Sequence, residues 1–289
     1  MATRLQQLEQ LTDRIGQNKA LDPPADALAR AVNSALEATP LKNALTGAWL
    51  GHPLHPALVA IPIGSWSGAT ALDLLGGKRA RNSADFLLAV GIVATAPTVA
   101  TGLANWSDLF GKDRRIGLVH AASNTVATMC FAAALLQRRR GRRFRGRVLQ
   151  FAGLGAMTAG GWLGGHLTYR LGVGVDHTTF MEAAADWTTV ARLDELPVGK
   201  PHLAEAAGVP ILLVRGQDDG VDALADTCTH ESGPLHEGEV ADGCVTCPWH
   251  GSQFRLDDGS VVRGPATARQ PTLEVRVAGG DVQIKSATA

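Results

Sequence analysis

Two short stretches in the C-terminal half decide the fold of this part of the chain. They read Cys228-Thr229-His230-Glu231-Ser232-Gly233-Pro234-Leu235 and Cys247-Pro248-Trp249-His250-Gly251-Ser252-Gln253-Phe254. Each stretch carries one thiol and one imidazole, and sixteen residues separate the first pair from the second. Thiolates and imidazoles are common ligands of zinc and iron. The two stretches therefore predict a metal centre with four ligands: Cys228, His230, Cys247 and His250.

Two kinds of centre use this set of donors. A zinc site of two Cys and two His normally takes its cysteines from one stretch and its histidines from another, whereas here each stretch carries one of each. A [2Fe–2S] cluster in which two imidazoles replace two thiolates on one iron suits the mixed stretches. The spacing favours the iron–sulfur cluster over zinc and predicts transfer of single electrons. No residue is predicted to be catalytic.

The residues around these ligands resemble the Rieske family. Gly264-Pro265-Ala266 is similar to the loop that covers the cluster in that family, and the resemblance spans residues 186–287. It implies that the two cysteines bind the inner iron. It also implies that the two histidines bind the outer, solvent-facing iron.

Within the family, the chain is similar to the small ferredoxins that serve aromatic-ring dioxygenases. The Rieske proteins of quinol-oxidising complexes carry one further cysteine in each loop, and these two form a disulfide. Gly233 and Trp249 stand at the corresponding places here, so that disulfide is not expected. The resemblance implies a redox partner protein, either an oxygenase or a reductase.

Short runs of alternating apolar residues from about Asp186 onward predict a small all-β domain around the cluster. The charge also changes along the chain. Residues 1–175 hold 19 Lys/Arg against 9 Asp/Glu, whereas residues 176–289 hold 8 against 18. Two halves of opposite charge indicate two different environments.

The first half contains apolar segments of about the length that crosses a bilayer. A membrane helix needs ~20 apolar residues, and small residues four apart, such as Gly160 and Gly164, suit close packing of helices in lipid. A soluble Gly/Ala-rich helical bundle is the alternative. The predicted fold class is multidomain, an all-α four-helix transmembrane domain followed by a small all-β Rieske domain. The four spans are expected at residues 57–76, 84–104, 116–136 and 148–171. The predicted domains are a polar helical segment 1–45, a membrane domain 46–172, a linker 173–185 and a Rieske domain 186–289.

Histidines gather at one face of the predicted membrane domain. The sequence Gly51-His52-Pro53-Leu54-His55-Pro56 enters the first span and resembles an uncharacterised family of four-span membrane proteins, over about residues 45–175. Following the chain back and forth places His55, His120 and His166 at the same face. Imidazoles on facing helices commonly bind haem or a metal. These three residues are therefore candidates for a haem b or metal site, and interfacial histidines without a cofactor are the alternative.

The predicted protein crosses the cell membrane several times. Its basic residues do not settle its orientation in that membrane. The loops after the first and third spans carry ten Lys/Arg, which by the positive-inside rule places both termini and the cluster outside the cytoplasm. Against this, iron–sulfur clusters are generally assembled in the cytoplasm, and no export signal is visible. The sequence does not decide on which side of the membrane the Rieske domain lies. The arginines are expected to face lipid, and no nucleic acid partner is predicted.

Together these features predict a membrane-anchored Rieske-type protein. It would transfer single electrons between a membrane redox pool, such as quinone, or a haem and a partner protein. A quinol-oxidising subunit and a membrane-tethered redox sensor or scaffold are the alternatives. Whether the chain is an electron carrier or a component of an oxidoreductase enzyme stays open.

Overall fold

The computed structural model describes residues 4–36 and 40–286. Contacts between residues divide the chain into two units. Met1–Glu37 with Leu54–Val173 form a helical unit, and Ala38–Pro53 with Gly174–Ala289 form a β-rich unit. The predicted combination of a helical half and a small all-β domain is confirmed. The predicted bounds placed residues 38–53 in the polar segment and the membrane domain, whereas the contacts group them with the β-rich unit. The predicted domain bounds stay predictions.

The chain forms seven α-helices in its described part, numbered here in chain order. Six of them belong to the helical unit: α1 (Arg4–Gln17), α2 (Asp22–Leu36), α4 (Leu54–Leu75), α5 (Arg81–Trp106), α6 (Gly111–Arg139) and α7 (Arg143–Leu171). The short helix α3 (Pro40–Thr46) belongs to the β-rich unit. Because the connections are short, α4 and α5 form one antiparallel hairpin, and α6 and α7 form a second.

Three helices, α4, α5 and α6, are long and apolar enough to cross a membrane. The fourth predicted span does form a long helix, α7, but its composition places it outside that group. The physical reason is its glycine content, since glycine lengthens a helix without adding apolar side-chain surface. The four-span prediction is therefore supported for three helices. The glycines of the predicted fourth span are Gly153, Gly155, Gly160, Gly161, Gly164 and Gly165.

The centre of the helical unit is an aromatic stack between its two hairpins. Trp66 of α4 and Phe131 of α6 stack with ring centroids 4.2 Å apart and planes 19° apart. Each ring packs on a glycine of the next helix, Gly91 of α5 for the tryptophan and Gly153 of α7 for the phenylalanine. A methyl group at either glycine would meet the ring, so the missing side chains let the helices approach closely.

In its described residues, the β-rich unit contains ten strands in three antiparallel sheets. The strands are β1 (Thr188–Arg192), β2 (Pro201–Ala206), β3 (Val209–Arg215), β4 (Val221–Ala225), β5 (Glu239–Ala241), β6 (Cys244–Thr246), β7 (Gln253–Arg255), β8 (Val261–Arg263), β9 (Leu273–Ala278) and β10 (Asp281–Ser286). The sheet orders are β1-β10-β9, β2-β3-β4 and β5-β6-β7-β8.

Strand β3 separates two hydrophobic cores in this unit. Ile211 and Leu213 face a core shared with β10, whereas Leu212 and Val214 face a core around the two cysteines. Successive side chains of a strand point to opposite faces, so a strand buried on both sides reads as an unbroken apolar run. The second core lies against the loops that follow β4 and β6 and therefore supports the predicted ligands.

Candidate metal centre

The two ligand loops have the same backbone scaffold. In the first, the Cys228 N–H donates to Gly233 O at 2.9 Å and the Ser232 N–H donates to Cys228 O at 3.0 Å. In the second, the Cys247 N–H donates to Ser252 O at 2.8 Å and the Gly251 N–H donates to Cys247 O at 3.1 Å. The fourth residue after each cysteine has positive φ, 61° at Ser232 and 72° at Gly251. Each loop therefore turns tightly around its own cysteine.

The two cysteine sulfurs lie together in the interior. Cys228 is 1% exposed and Cys247 is 2% exposed. The pKa of Cys247 is lowered to about 7, because the Cys228 thiol donates to its sulfur and backbone N–H groups of the second loop point at it. The same hydrogen bond raises the pKa of Cys228, and burial adds to that rise. The loops thus present buried sulfurs with N–H donors aimed at them, which stabilise negative charge on sulfur.

The two predicted histidine ligands also meet each other. The Nδ1 atoms of His230 and His250 lie 3.3 Å apart, and their rings stand nearly perpendicular. Burial of the imidazole lowers the pKa of His230 to about 3, and the positive charges of His250, His177 and Lys42 add to this. A neutral imidazole with a converging nitrogen is the form that binds a metal. Both rings are partly exposed, unlike the cysteines.

The donors therefore form two pairs, a buried pair of thiols and a partly exposed pair of imidazoles. Within residues 4–36 and 40–286, no three or more His, Cys, Asp or Glu side chains converge as they would on a single metal ion. A single tetrahedral zinc would need all four ligands around one point. Two metal atoms bridged within a cluster need only one pair each. The residues present fit a binuclear [2Fe–2S] centre better than zinc, and the four ligand assignments stay a prediction.

Buried polar contacts fix both loops to the segment that follows β8. Gln270 accepts a hydrogen bond from the Thr229 N–H at 3.2 Å and donates to Ala225 O and Thr227 O, each at 2.7 Å. The hydroxyl of Ser252 accepts from the Ala266 N–H at 3.0 Å. The segment that resembles the covering loop is thus hydrogen-bonded to the second ligand loop, and the chain just after it to the first.

Several residues near the centre were missed in the sequence. The backbone N–H of His177 donates to Thr229 O at 3.1 Å, and its ring Nδ1 lies 2.9 Å from the Ser232 hydroxyl. Asn43 of α3 accepts from the Gly264 N–H at 2.9 Å and donates to Val262 O at 3.1 Å. These residues lie far from the ligands in sequence and outside both motifs. No pattern of spacing could have found them.

His236, between the two loops, is held by a carboxylate rather than by the predicted ligands. Both its backbone N–H and its Nδ1 lie 2.7 Å from the carboxylate oxygens of Asp226, which is buried two residues before Cys228. This agrees with its absence from the predicted ligand set. The contact between His236 and Asp226 links the chain that follows the first loop to the chain just before it.

In the helical unit, the structure brings two of the three candidate histidines near each other. His55 of α4 and His120 of α6 are close enough for their charges to interact. Nδ1 of His55 lies 2.9 Å from Thr98 O, and Nδ1 of His120 lies 2.7 Å from Gly160 O. His166 of α7 has no hydrogen bond to either ring in the part of the chain that the structure describes.

Comparison with known proteins assigns both halves. Residues 186–275 match the Rieske [2Fe–2S] domain, and residues 51–177 match the family described as Predicted membrane protein (DUF2231). The anthranilate 1,2-dioxygenase ferredoxin subunit of Burkholderia cepacia is 31% identical over 35% of this chain and 92% of its own length. Ferredoxin CarAc of Metapseudomonas resinovorans is 30% identical over 34% of this chain and 92% of its own length.

Among solved structures, the ferredoxin of carbazole 1,9a-dioxygenase from Nocardioides aromaticivorans IC177 is 25% identical. The match covers 36% of this chain and all of that one, with a TM-score of 0.34. These two sequence relatives are named as ferredoxins and are matched over nearly their whole length, as the resemblance predicted. The chain therefore belongs to the Rieske [2Fe–2S] family, as a ferredoxin-type domain joined to a predicted membrane domain.

Proposed function

We propose that this protein is a membrane-anchored Rieske ferredoxin that passes single electrons between a redox pool in the membrane and a partner protein. One observation carries the proposal, the difference in exposure across the metal centre. The thiols are buried, whereas the imidazoles are partly exposed and Trp249 between the second pair of ligands is 52% exposed. The histidine side of the centre is therefore the side that a partner reaches.

The four predicted ligands would hold a [2Fe–2S] cluster at this place. When bound, the cluster supplies a one-electron couple, and imidazole ligands raise its potential relative to all-cysteine ferredoxins. The chain contributes backbone N–H groups aimed at the sulfurs and the neutral state of His230. These contacts stabilise the ligands in the form that binds iron.

The partner proposal follows from the relatives. Two of them are named as ferredoxins, one of them as the ferredoxin subunit of a dioxygenase. An oxygenase or a reductase is therefore the class of partner we propose on the soluble side. On the membrane side, three apolar helices and the membrane-family match support a donor or acceptor in the bilayer. That donor would be a quinol, or a haem b near His55, His120 and His166.

The experiment uses full-length protein purified in detergent under anaerobic conditions. Iron and acid-labile sulfide are measured, and the reduced protein is examined by EPR. We expect two irons and two sulfides per chain and a rhombic signal, lost in His250→Ala and kept in His236→Ala. Zinc without iron, or a normal signal in His250→Ala, would contradict the ligand set.

A second measurement tests the electron path. The protein is placed in liposomes, quinol is added, and reduction of the cluster is followed by absorbance. Reduction by quinol supports the membrane pool as donor. If quinol leaves the cluster oxidised while a soluble ferredoxin reductase with NADH reduces it, a quinol pool in the membrane is not the electron donor.

A further inference from the structure

The two helical hairpins are copies of one unit. Residues of α4 contact the residue 65 positions later in α6 at two levels. The Trp66 ring stacks on Phe131, and the Asp73 carboxylate pairs with Arg138. His55 and His120 are related by the same offset of 65 positions. When equivalent positions of two copies contact each other, the copies are related by a two-fold axis that runs between them.

The second helix of each hairpin repeats in the same way, with an offset of 62. Gly102 of α5 packs against the His55 ring, where a Cβ would come within 2.8 Å of Cε1. The equivalent Gly164 of α7 packs against the His120 ring, where a Cβ would come within 2.9 Å of Cε1. Gly91 and Gly153, which pack on the aromatic stack, also differ by 62 positions.

The histidines have the same hydrogen bond in both copies. Each Nδ1 faces a backbone carbonyl of the following helix, Thr98 O or Gly160 O, and these two acceptors again differ by 62 positions. A carbonyl only accepts, so the proton lies on Nδ1 in both rings. In a neutral imidazole this leaves the Nε2 lone pair unprotonated. A hydrogen bond from the other ring nitrogen is the usual support of a metal-binding histidine.

Neither Nε2 lone pair is used by the described residues. His55 Nε2 makes no hydrogen bond among them. The Asn124 amide lies 3.3 Å from His120 Nε2 and 3.4 Å from its Nδ1. A donor on the Nε2 lone pair would lie much farther from Nδ1, because the two lone pairs point away from each other. The Asn124 amide is therefore not aligned with the Nε2 lone pair, and it donates to His120 O at 3.0 Å.

We propose that His55 and His120 would together hold one haem through their Nε2 atoms. The site offers two imidazoles and, among the described residues, no third ligand. A bare metal ion held by two ligands would be incompletely coordinated, whereas haem iron brings four nitrogens of its own and takes two from the protein. The geometry of the site does not depend on the proposed function. A role of the haem as electron donor or acceptor does rest on that proposed function.

The proposal also separates His166 from the site. The position equivalent to His166 in the first hairpin is Ala104, so this histidine has no partner in the repeat. His166→Ala is therefore the matched control for His55→Ala and His120→Ala. All three variants remove an imidazole from the same unit.

The test uses the full chain, produced in cells supplied with a haem precursor and purified in detergent. The haem is quantified as its pyridine complex, and the oxidised protein is examined for a low-spin bis-imidazole EPR signal. We expect one haem per chain in the wild type and in His166→Ala, and at least about a tenfold loss in His55→Ala and in His120→Ala. Free imidazole added to His120→Ala should restore binding.

Two results would overturn the proposal. One is wild-type protein without haem, including protein that holds only a metal ion. The other is haem retained in both His55→Ala and His120→Ala. The Rieske EPR signal, recorded on each sample, shows whether the β-rich unit of a variant is folded, and recovery of haem with free imidazole tests the helical unit. The Rieske signal also separates the two questions, because a cluster without haem contradicts only this inference, and a haem without a cluster contradicts only the proposed ferredoxin function.

Discussion

Gly233 lies between the two loops of the metal centre, where a side chain would meet the second loop. A Cβ at this position would come within 2.7 Å of the Cys247 sulfur and 3.2 Å of the Trp249 ring. We expect Gly233→Ala to force the loops apart, destabilise the domain by about 1–3 kcal/mol and lower the cluster content. Iron per chain and thermal unfolding measure both effects.

The control for Gly233→Ala is Gly155→Ala, at a position in α7 where a Cβ meets nothing within 4 Å. It should leave both the iron content and the unfolding temperature as they are in the wild type. Equal iron content in Gly233→Ala and the wild type would show that the loops do not need this close approach.

Lys42 is a buried cation whose charge reaches His230. A positive charge near a cluster favours the reduced state, which carries one more electron. We expect Lys42→Met to lower the midpoint potential by on the order of tens of millivolts, since about 59 mV is a tenfold change for one electron. Lys42→Arg should keep the potential. Redox titration by EPR checks both, and a higher potential in Lys42→Met would contradict the argument.

Asp222 of β4 makes the stability of the β-rich unit depend on pH. Burial raises its pKa, and the nearby carboxylates of Asp257 and Asp218 raise it further. At neutral pH the folded state therefore holds a charge that the unfolded chain carries at lower cost. We expect Asp222→Asn to raise the unfolding temperature at pH 7. The gain should shrink as the pH falls toward the ordinary carboxylate pKa, where the wild-type side chain becomes protonated in both states.

The exposed Asp242 provides the comparison for Asp222. Asp242→Asn should change the unfolding temperature little at any of these pH values. If Asp222→Asn is less stable than the wild type at pH 7, the carboxylate makes a favourable contact that outweighs its burial.

At the scale of helices, one buried arginine links α4, α5, α6 and α7. Arg138 of α6 pairs with Asp73 of α4, with Asp85 of α5 at 2.9 Å, and with Gln150 of α7. Gln150 in turn donates to the Thr70 hydroxyl at 2.7 Å. A buried ion pair adds little net stability, but removal of one partner leaves the other charge buried alone.

We therefore expect Arg138→Met to destabilise the helical unit by about 3–5 kcal/mol, because Asp73 and Asp85 lose a shared counter-charge. Arg139→Met, at the exposed neighbouring position, should have a small effect. The unfolding temperature in detergent measures both. The double variant Arg138→Met with Asp73→Asn should recover part of the loss, and no recovery would show that packing rather than charge is responsible.

The helices and strands were largely predictable, whereas the contacts between them were not. Apolar periodicity locates α4 to α7 and the strands, because it reflects burial along one element. The pairing of Asp73 with Arg138 depends on how helices pack, which no single stretch records. The repeat was a missed signal that the sequence does contain. His55 and Trp66 are eleven residues apart, as are His120 and Phe131.

For the molecule as a whole, the cluster motif was the most informative part of the sequence, because its ligands lie within two short stretches. The residues around it were not predictable. His177 approaches the first ligand loop, and Asn43 approaches the segment that resembles the covering loop. Both come from segments more than 40 residues away in the chain, and folding alone brings them there. Of the four predicted spans, three are long and apolar enough to cross a membrane, and the fourth, α7, differs in composition because it is rich in glycine.

The division of charge along the chain gives a prediction for electron transfer. The β-rich half is acidic, with 8 Lys/Arg against 18 Asp/Glu over residues 176–289. At physiological salt the Debye length is about 8 Å, so a redox partner near the cluster responds mainly to charges within this half. Attraction between opposite charges speeds encounter and weakens as salt increases.

Two small redox reagents of opposite charge test this on the reduced, detergent-purified protein. We expect a cationic ruthenium hexaammine reagent to exchange electrons with the cluster more slowly as salt is raised from about 10 mM to about 500 mM, whereas ferricyanide should react faster. Stopped-flow absorbance of the cluster gives both rates. The same trend with both reagents would mean that the surface around the histidines is not acidic, and that a basic partner is not steered to it by charge.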